Sequence, residues 1–216
     1  MKKFISKNKL VLLITILFFN SVSMTEGSFV CSPEGYTVIS INGMLTSSSG
    51  AIENKERIRK SLFPSYNNQK IIYDYVYNPT HGFFADFIDA MTQKTSEKMF
   101  ISDTHDLKDM LVDLSAKVKT QKLLIVAHSQ GNFYANDIYR TLGDKEGGVS
   151  KSSMGIYGIG TPTSYIAGNG KYILSKNDSI INKIRLFGMI DVLPANADIP
   201  KDEEDEFNGH GLSASY

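Results

Sequence analysis

Two rhythms of hydrophobic and polar positions alternate along residues 30–216. Short runs rich in β-branched and aromatic residues predict strands at YTVISI (36–41), KIIYDYVY (70–77), KLLIVA (122–127), MGIYGIG (154–160) and KYILS (171–175). Between them, apolar residues recur at helical spacing. AIENKERIRKSL carries Ile52, Ile58 and Leu62 and stops before Pro64, and GFFADFIDAMTQKTSEKMF carries Phe84, Phe87, Ile88 and Met91. DLKDMLVDLSAKVKT places Leu107, Met110, Leu111, Leu114 and Val118 on one face, and a last segment runs from Gly131 through Phe133, Tyr134 and Ile138 towards Leu142. Each stripe is read as a surface packed into a core. Strands alternating with helices predict an α/β fold with a mostly parallel central sheet. Central strands of such a sheet are buried on both faces and read as continuous apolar runs, which puts LLIVA near the middle.

The N-terminus follows a different pattern. MKKFISKNKLVLLITILFFNSVS begins with Lys2, Lys3, Lys7 and Lys9, continues as an apolar-rich run from Leu10 to Phe19, and ends in small polar residues. That run is too short for a hydrocarbon core of about 30 Å, which needs roughly 20 residues. It reads as a secretory signal peptide over residues 1–23, with one domain over 24–216, exported to the periplasm or the medium. The formal net charge is 0, and the 23 basic residues fall to 19 without the four leader lysines, against 23 acidic ones. This mildly acidic domain offers nothing to nucleic acid. Cys31 is the only cysteine, so no intramolecular disulfide is expected.

Chemistry is concentrated in KLLIVAHSQGNFYAND (122–137). Its apolar strand stops abruptly at Ala127-His128-Ser129-Gln130-Gly131, and helix-like sequence follows at once. This fits the nucleophile-elbow pattern G-x-S-x-G with Ala in the first glycine slot. A serine at the tip of a tight strand-to-helix turn is strained and crowds its neighbours, so only very small residues fit beside it. The helix beginning behind the serine aims N–H groups at the site, which favours a developing oxyanion.

A serine hydroxyl needs an oriented base. His128 is adjacent, but neighbouring residues on an extended turn point apart, and His81 and His105 precede the elbow. His210, between glycines in NGHGLSAS, is the candidate base. A carboxylate should hold its imidazole in the right tautomer. Asp178 in KYILSKNDSII is preferred, with Asp191 in FGMIDVLP as competitor, while KDEEDE (201–206) reads as a solvated loop. For the oxyanion, one amide belongs to Gln130. The other is expected from Met44, where Gly43 lets the chain turn after the strand VISI.

Together these residues resemble the α/β-hydrolase superfamily, in particular small bacterial lipase- or esterase-like members, which pair an NG oxyanion loop with an AHSQGN elbow. The likeness runs from about Tyr36 to His210, and GIGTPTS (158–164) is similar to the segment after a central strand in such enzymes. The resemblance implies an α/β-hydrolase-like fold without an obvious lid domain, and no cofactor. It implies catalysis by Ser129, Asp178 and His210, in that order, on a small-molecule or lipid ester or thioester, with a membrane-surface contact left open. Three departures stand out. Asn42 occupies a position where many lipases have His, Ala127 replaces a glycine, and only six residues follow His210, so the histidine loop is expected to lack the support of a final helix. An acyltransferase on the same residues, or a non-catalytic binding protein that kept the fold, are the alternatives. The four scattered histidines show no metal-ligand spacing, and GNG (168–170) has no following Gly-Lys-Ser/Thr and is not a phosphate loop. In NPTHGFF (78–84), Phe83 and Phe84 are placed beside the site or in the core.

Overall fold

A computed structural model describes residues 31–79, 104–143, 149–186, 188, 191–201, 209–212 and 216, all within one compact unit, Cys31–Tyr216. The elements in chain order are β1 (Tyr36–Ile41), α1 (Ser48–Ser61), β2 (Ser65–Tyr66), β3 (Gln69–Val76), α2 (Thr104–Lys117), β4 (Leu123–His128), α3 (Gly131–Leu142), β5 (Met154–Ile159), β6 (Lys171–Ile173) and α4 (Ser179–Leu186). The expected leader and the helix expected over 82–100 lie outside the described residues.

The strands form one sheet in the order β2-β3-β1-β4-β5-β6. All neighbours pair in parallel except β2, which folds back antiparallel on β3. The fold is α/β and α/β-hydrolase-like, a mostly parallel sheet flanked by helices. β1 and β4 occupy the middle, as the apolar character of LLIVA implied. From β1 the chain first goes outward to β3, then returns to β4 and continues the other way through β5 and β6. The direction reverses between β1 and β4, and ligand sites of open parallel sheets lie at such a switch, outside the carboxyl ends of the strands.

The period of two along a strand divides the core. Ile39 and Ile41 of β1, with Leu123, Ile125 and Ala127 of β4, join Met110 and Leu114 of α2 and Tyr134, Ala135 and Ile138 of α3. Val38 and Val126, the alternate positions, point to the other layer, where Ile58 of α1 packs with Ile159 and Tyr216. A third cluster, Leu174, Ile181 and Ile184, lies under α4 and touches Met44 and Phe133.

Helix α1 departs from its expected packing. Ser47 caps it by accepting a hydrogen bond from the Gly50 N–H, so it begins before Ala51 and ends before Leu62. Ala51 is buried and Ile58 partly so, whereas Ile52 and Leu62 are each 43% exposed. Ile52 sits one residue, about 100° of rotation, off the Ala51–Ile58 face. Leu62 has already left the helix for extended backbone (φ −109°, ψ 164°), as its place shortly before Pro64 favours. The short β2 strand and helix α4 are absent from the sequence-based expectation.

Ile125 is fully buried at the centre of the sheet, while Val112 on α2 is 64% exposed. Ile125→Ala should therefore cost about 2–5 kcal/mol of stability, and Val112→Ala should stay within about 0.5 kcal/mol. Urea unfolding of both variants checks this, and equal costs would overturn the assignment of the core.

Candidate active site

The parallel strands bring the residues that follow β1, β3, β4 and β5 to one edge of the sheet. At the end of β4 the chain turns directly into α3, and Ser129, at the turn, adopts φ 51°. This left-handed conformation costs a residue with a side chain roughly 1–2 kcal/mol and persists only where the surroundings enforce it. They do so through its backbone groups. The Ser129 N–H donates to the Ile159 carbonyl at 2.9 Å, and its carbonyl accepts from the Asn132 N–H at 3.0 Å and from Asn132 Nδ2 at 2.9 Å.

Two glycines allow the necessary close approach. A Cβ on Gly131 would lie 2.9 Å from the backbone oxygens of both Ile41 and Asn42, so only glycine lets α3 begin against the end of β1. A Cβ on Gly43 would lie 2.7 Å from Ser129 Cβ and 3.3 Å from its Oγ. The sequence reading gave Gly43 the task of turning the chain. Its φ is not positive, and the left-handed residue of this loop is Leu45 (φ 58°). Gly43 is needed for proximity to the serine, and it sets the Gly43–Met44 segment beside Ser129. Met44 is partly buried, its side chain packed on the cluster beneath α4.

His210 lies in hydrogen-bond contact with the serine, its Nε2 2.8 Å from Ser129 Oγ. Its Nδ1 is 2.7 Å from Asp178 Oδ2. A carboxylate can only accept, so Nδ1 carries a proton and Nε2 turns its lone pair to the serine hydroxyl. Asp178 is fully buried and directly precedes α4, where its Oδ1 accepts from the Ile181 N–H at 2.9 Å. A carboxylate in this position caps the helix and meets the positive end of its dipole. Asp191, the competitor, is exposed. His128 is not oriented as a base to the serine. Its Nε2–H donates to the His210 backbone carbonyl at 2.8 Å, and the two rings lie 5.1 Å apart, so it holds the histidine loop. His105 is on the surface of α2 beside Asp109, and His81 lies outside the described residues.

Several partners were not expected. Asn42 and Asn78 clamp each other across the ends of β1 and β3. Asn42 Oδ1 accepts from the Asn78 N–H at 2.8 Å, and Asn42 Nδ2 donates to the carbonyls of Asn78 (3.0 Å) and Gly43 (2.9 Å). Asn78 Nδ2 continues the network to Gln130 Oε1 at 2.9 Å. Within NPTHGFF it is thus Asn78 that reaches the site, while Phe83 and Phe84 lie outside the described residues. Tyr216 closes the arrangement from the other side. Its hydroxyl donates to Asp178 Oδ2 at 2.8 Å and accepts from the Ser175 N–H at 3.0 Å. Burial pushes its phenol well above the usual range, and the Asp178 carboxylate pushes it the same way. The polar Asn after a strand, and a terminal Tyr beyond a glycine-flanked His, are the faint signals these residues leave in sequence. Among the described residues, no three His, Cys, Asp or Glu side chains converge as metal ligands would.

Removing the Asn42 amide strands the buried Asn78 N–H. Asn42→Ala should cost about 1–3 kcal/mol, measured as a shift in the urea midpoint. An unchanged midpoint would show that the clamp contributes nothing to the fold.

No protein-family model matches the chain, and no curated protein matches it. Among solved structures, the chain is similar to "A novel cutinase-like protein from Cryptococcus sp.", with 17% identity over 63% of this chain and a TM-score of 0.32. The match covers 58% of that structure's chain, so this protein spans less than two thirds of its length.

Proposed function

We propose that this protein is a serine hydrolase that cleaves carboxylic esters or thioesters through an acyl-enzyme. One observation carries the reading. An unbroken relay of hydrogen bonds, 2.8 Å and 2.7 Å long, runs from Ser129 Oγ through His210 to the buried Asp178, and begins at a serine held in left-handed backbone.

In the proposed reaction Ser129 Oγ attacks the carbonyl carbon while its proton passes to His210 Nε2. Asp178 stabilises the imidazolium that forms and keeps its ring oriented. The backbone amides of Gln130 and Met44 take the oxyanion, aided by the N-terminal end of α3. Collapse of the tetrahedral intermediate expels the alkoxide or thiolate, which takes the proton from His210. A water molecule, deprotonated in turn by His210, attacks the acyl group and releases the acid and free Ser129. No step calls for a cofactor. The basic and then apolar N-terminus supports an activity exerted outside the cytoplasm.

The test is fluorophosphonate labelling of the purified protein followed by peptide mapping. The expected adduct is on Ser129, absent in Ser129→Ala, with the labelling rate reduced about 10⁴-fold or more in His210→Ala and Asp178→Asn. A folded protein that takes no label would overturn the reading.

A further inference from the structure

We infer that Tyr216 is a positioning residue of this site, a second hydrogen-bond donor that fixes the Asp178 carboxylate for His210. The inference deepens the proposed hydrolase reading and rests on it.

The Asp178 carboxylate has three described partners, and they divide its two oxygens. Oδ1 accepts from the Ile181 N–H, which ties the carboxylate to α4. Oδ2 accepts both the His210 Nδ1–H, at 2.7 Å, and the Tyr216 hydroxyl, at 2.8 Å. A carboxylate held on one oxygen alone can still swing about that contact. The tyrosine locates the other oxygen, the one that orients the base. The hydroxyl is itself located, because it accepts from the Ser175 N–H at 3.0 Å. Its only proton is then committed to Asp178. The raised phenol pKa keeps that proton in place at ordinary pH.

The ring is seated as firmly as the hydroxyl. It packs in the layer with Val38, Val126, Ile159 and Leu212, and meets the His128 ring edge-on at 6.4 Å. A Cβ on Gly160, the residue after β5, would lie a tight 3.3 Å from both the Tyr216 ring and His210 Cε1, and at φ 51° a side chain there would be strained. The short segment after His210 was expected to leave the histidine loop poorly supported. Tyr216, six residues beyond His210, supplies a brace at the site.

The consequence concerns protonation as well as position. The tyrosine draws negative charge from Oδ2 and so tempers the attraction of Asp178 for the imidazolium. Without the hydroxyl, the carboxylate faces His210 with more localised charge, and the protonated imidazole is better stabilised. The other described charged or titratable groups around this cluster are His128, whose ring faces those of both His210 and Tyr216; Arg185 of α4; and Lys201, which donates to Ser179 at the start of α4. Tyr216→Phe leaves all three in place.

The experiment follows the rate of fluorophosphonate labelling against pH in wild type and Tyr216→Phe, with urea midpoints recorded for both. The expected result is a rate about tenfold lower at the optimum, the size of one lost hydrogen bond to a charged group. The acid limb of the profile should also move to higher pH. A lower rate with an unmoved limb would reduce Tyr216 to packing and overturn the inference. A double-mutant cycle with Asp178→Asn is the second arm, and it decides the matter even if Tyr216→Phe loses some stability. Tyr216→Phe should have little further effect once the carboxylate is gone, and fully additive effects would also overturn the proposal. Should the folded wild type take no label at all, the hydrolase reading fails first and the role of Tyr216 falls with it.

Discussion

Ser129 is held at φ 51° between the end of β4 and the start of α3, and the geometry around the site follows from the contacts that keep it there. Its N–H and carbonyl are both committed, to Ile159 and Asn132, so the strained backbone leaves no buried polar group of its own unsatisfied. The same turn drives α3 against β1 so closely that Gly131 is required, and it brings the Gly43 backbone against the serine side chain. With the backbone constrained on both sides, Oγ meets His210 Nε2 at 2.8 Å. Relaxing Ser129 into ordinary backbone would disturb the β1 end, the α3 start and the histidine contact together.

Neutral amides hold the strand ends together. Asn42, Asn78 and Asn132 are all buried, and between them they bind the ends of β1, β3, β4 and β5. An amide both donates and accepts, so these asparagines bond one another and nearby backbone without placing a charge in low dielectric, while Asn78 Oδ1 and Asn132 Oδ1 have no partner among the described residues. Among the described residues, the fully buried carboxylate at the site is Asp178, held by the Ile181 amide, His210 and Tyr216.

Alternation of β-rich and amphipathic segments was enough to establish an α/β fold with a parallel sheet, and the continuous LLIVA run located its central strand. Both are local properties, a period of side-chain direction and a length, which any window of the chain displays. The elbow at Ser129 was equally visible, because its demands fall on residues one and two positions away. The candidates His210 and Asp178 also came from the sequence, through the resemblance and their order, but the contacts from His210 to Ser129 and to Asp178 span 81 and 32 positions along the chain and became measurable only once folded. Periodicity did not anticipate the burial phase of α1. Ile52 and Leu62 had the right character, but the cap at Ser47 and the exit before Pro64 turned a different face inward.

Asn78, His128, Asn132 and Tyr216 left at most a faint signature, since a lone asparagine or tyrosine is as much at home on a surface. Their roles arise because the parallel sheet gathers strand ends far apart in the chain at one edge, where backbone groups need partners and only a few side chains can reach. Sequence by itself determined most of the described elements, the central strand and the serine at the elbow, because those depend on near neighbours. Which side chains steady that serine, its histidine and its acid was decided only by tertiary structure, because hydrogen bonds at 2.7–2.8 Å between residues far apart in the chain depend on register and packing, which no local window contains.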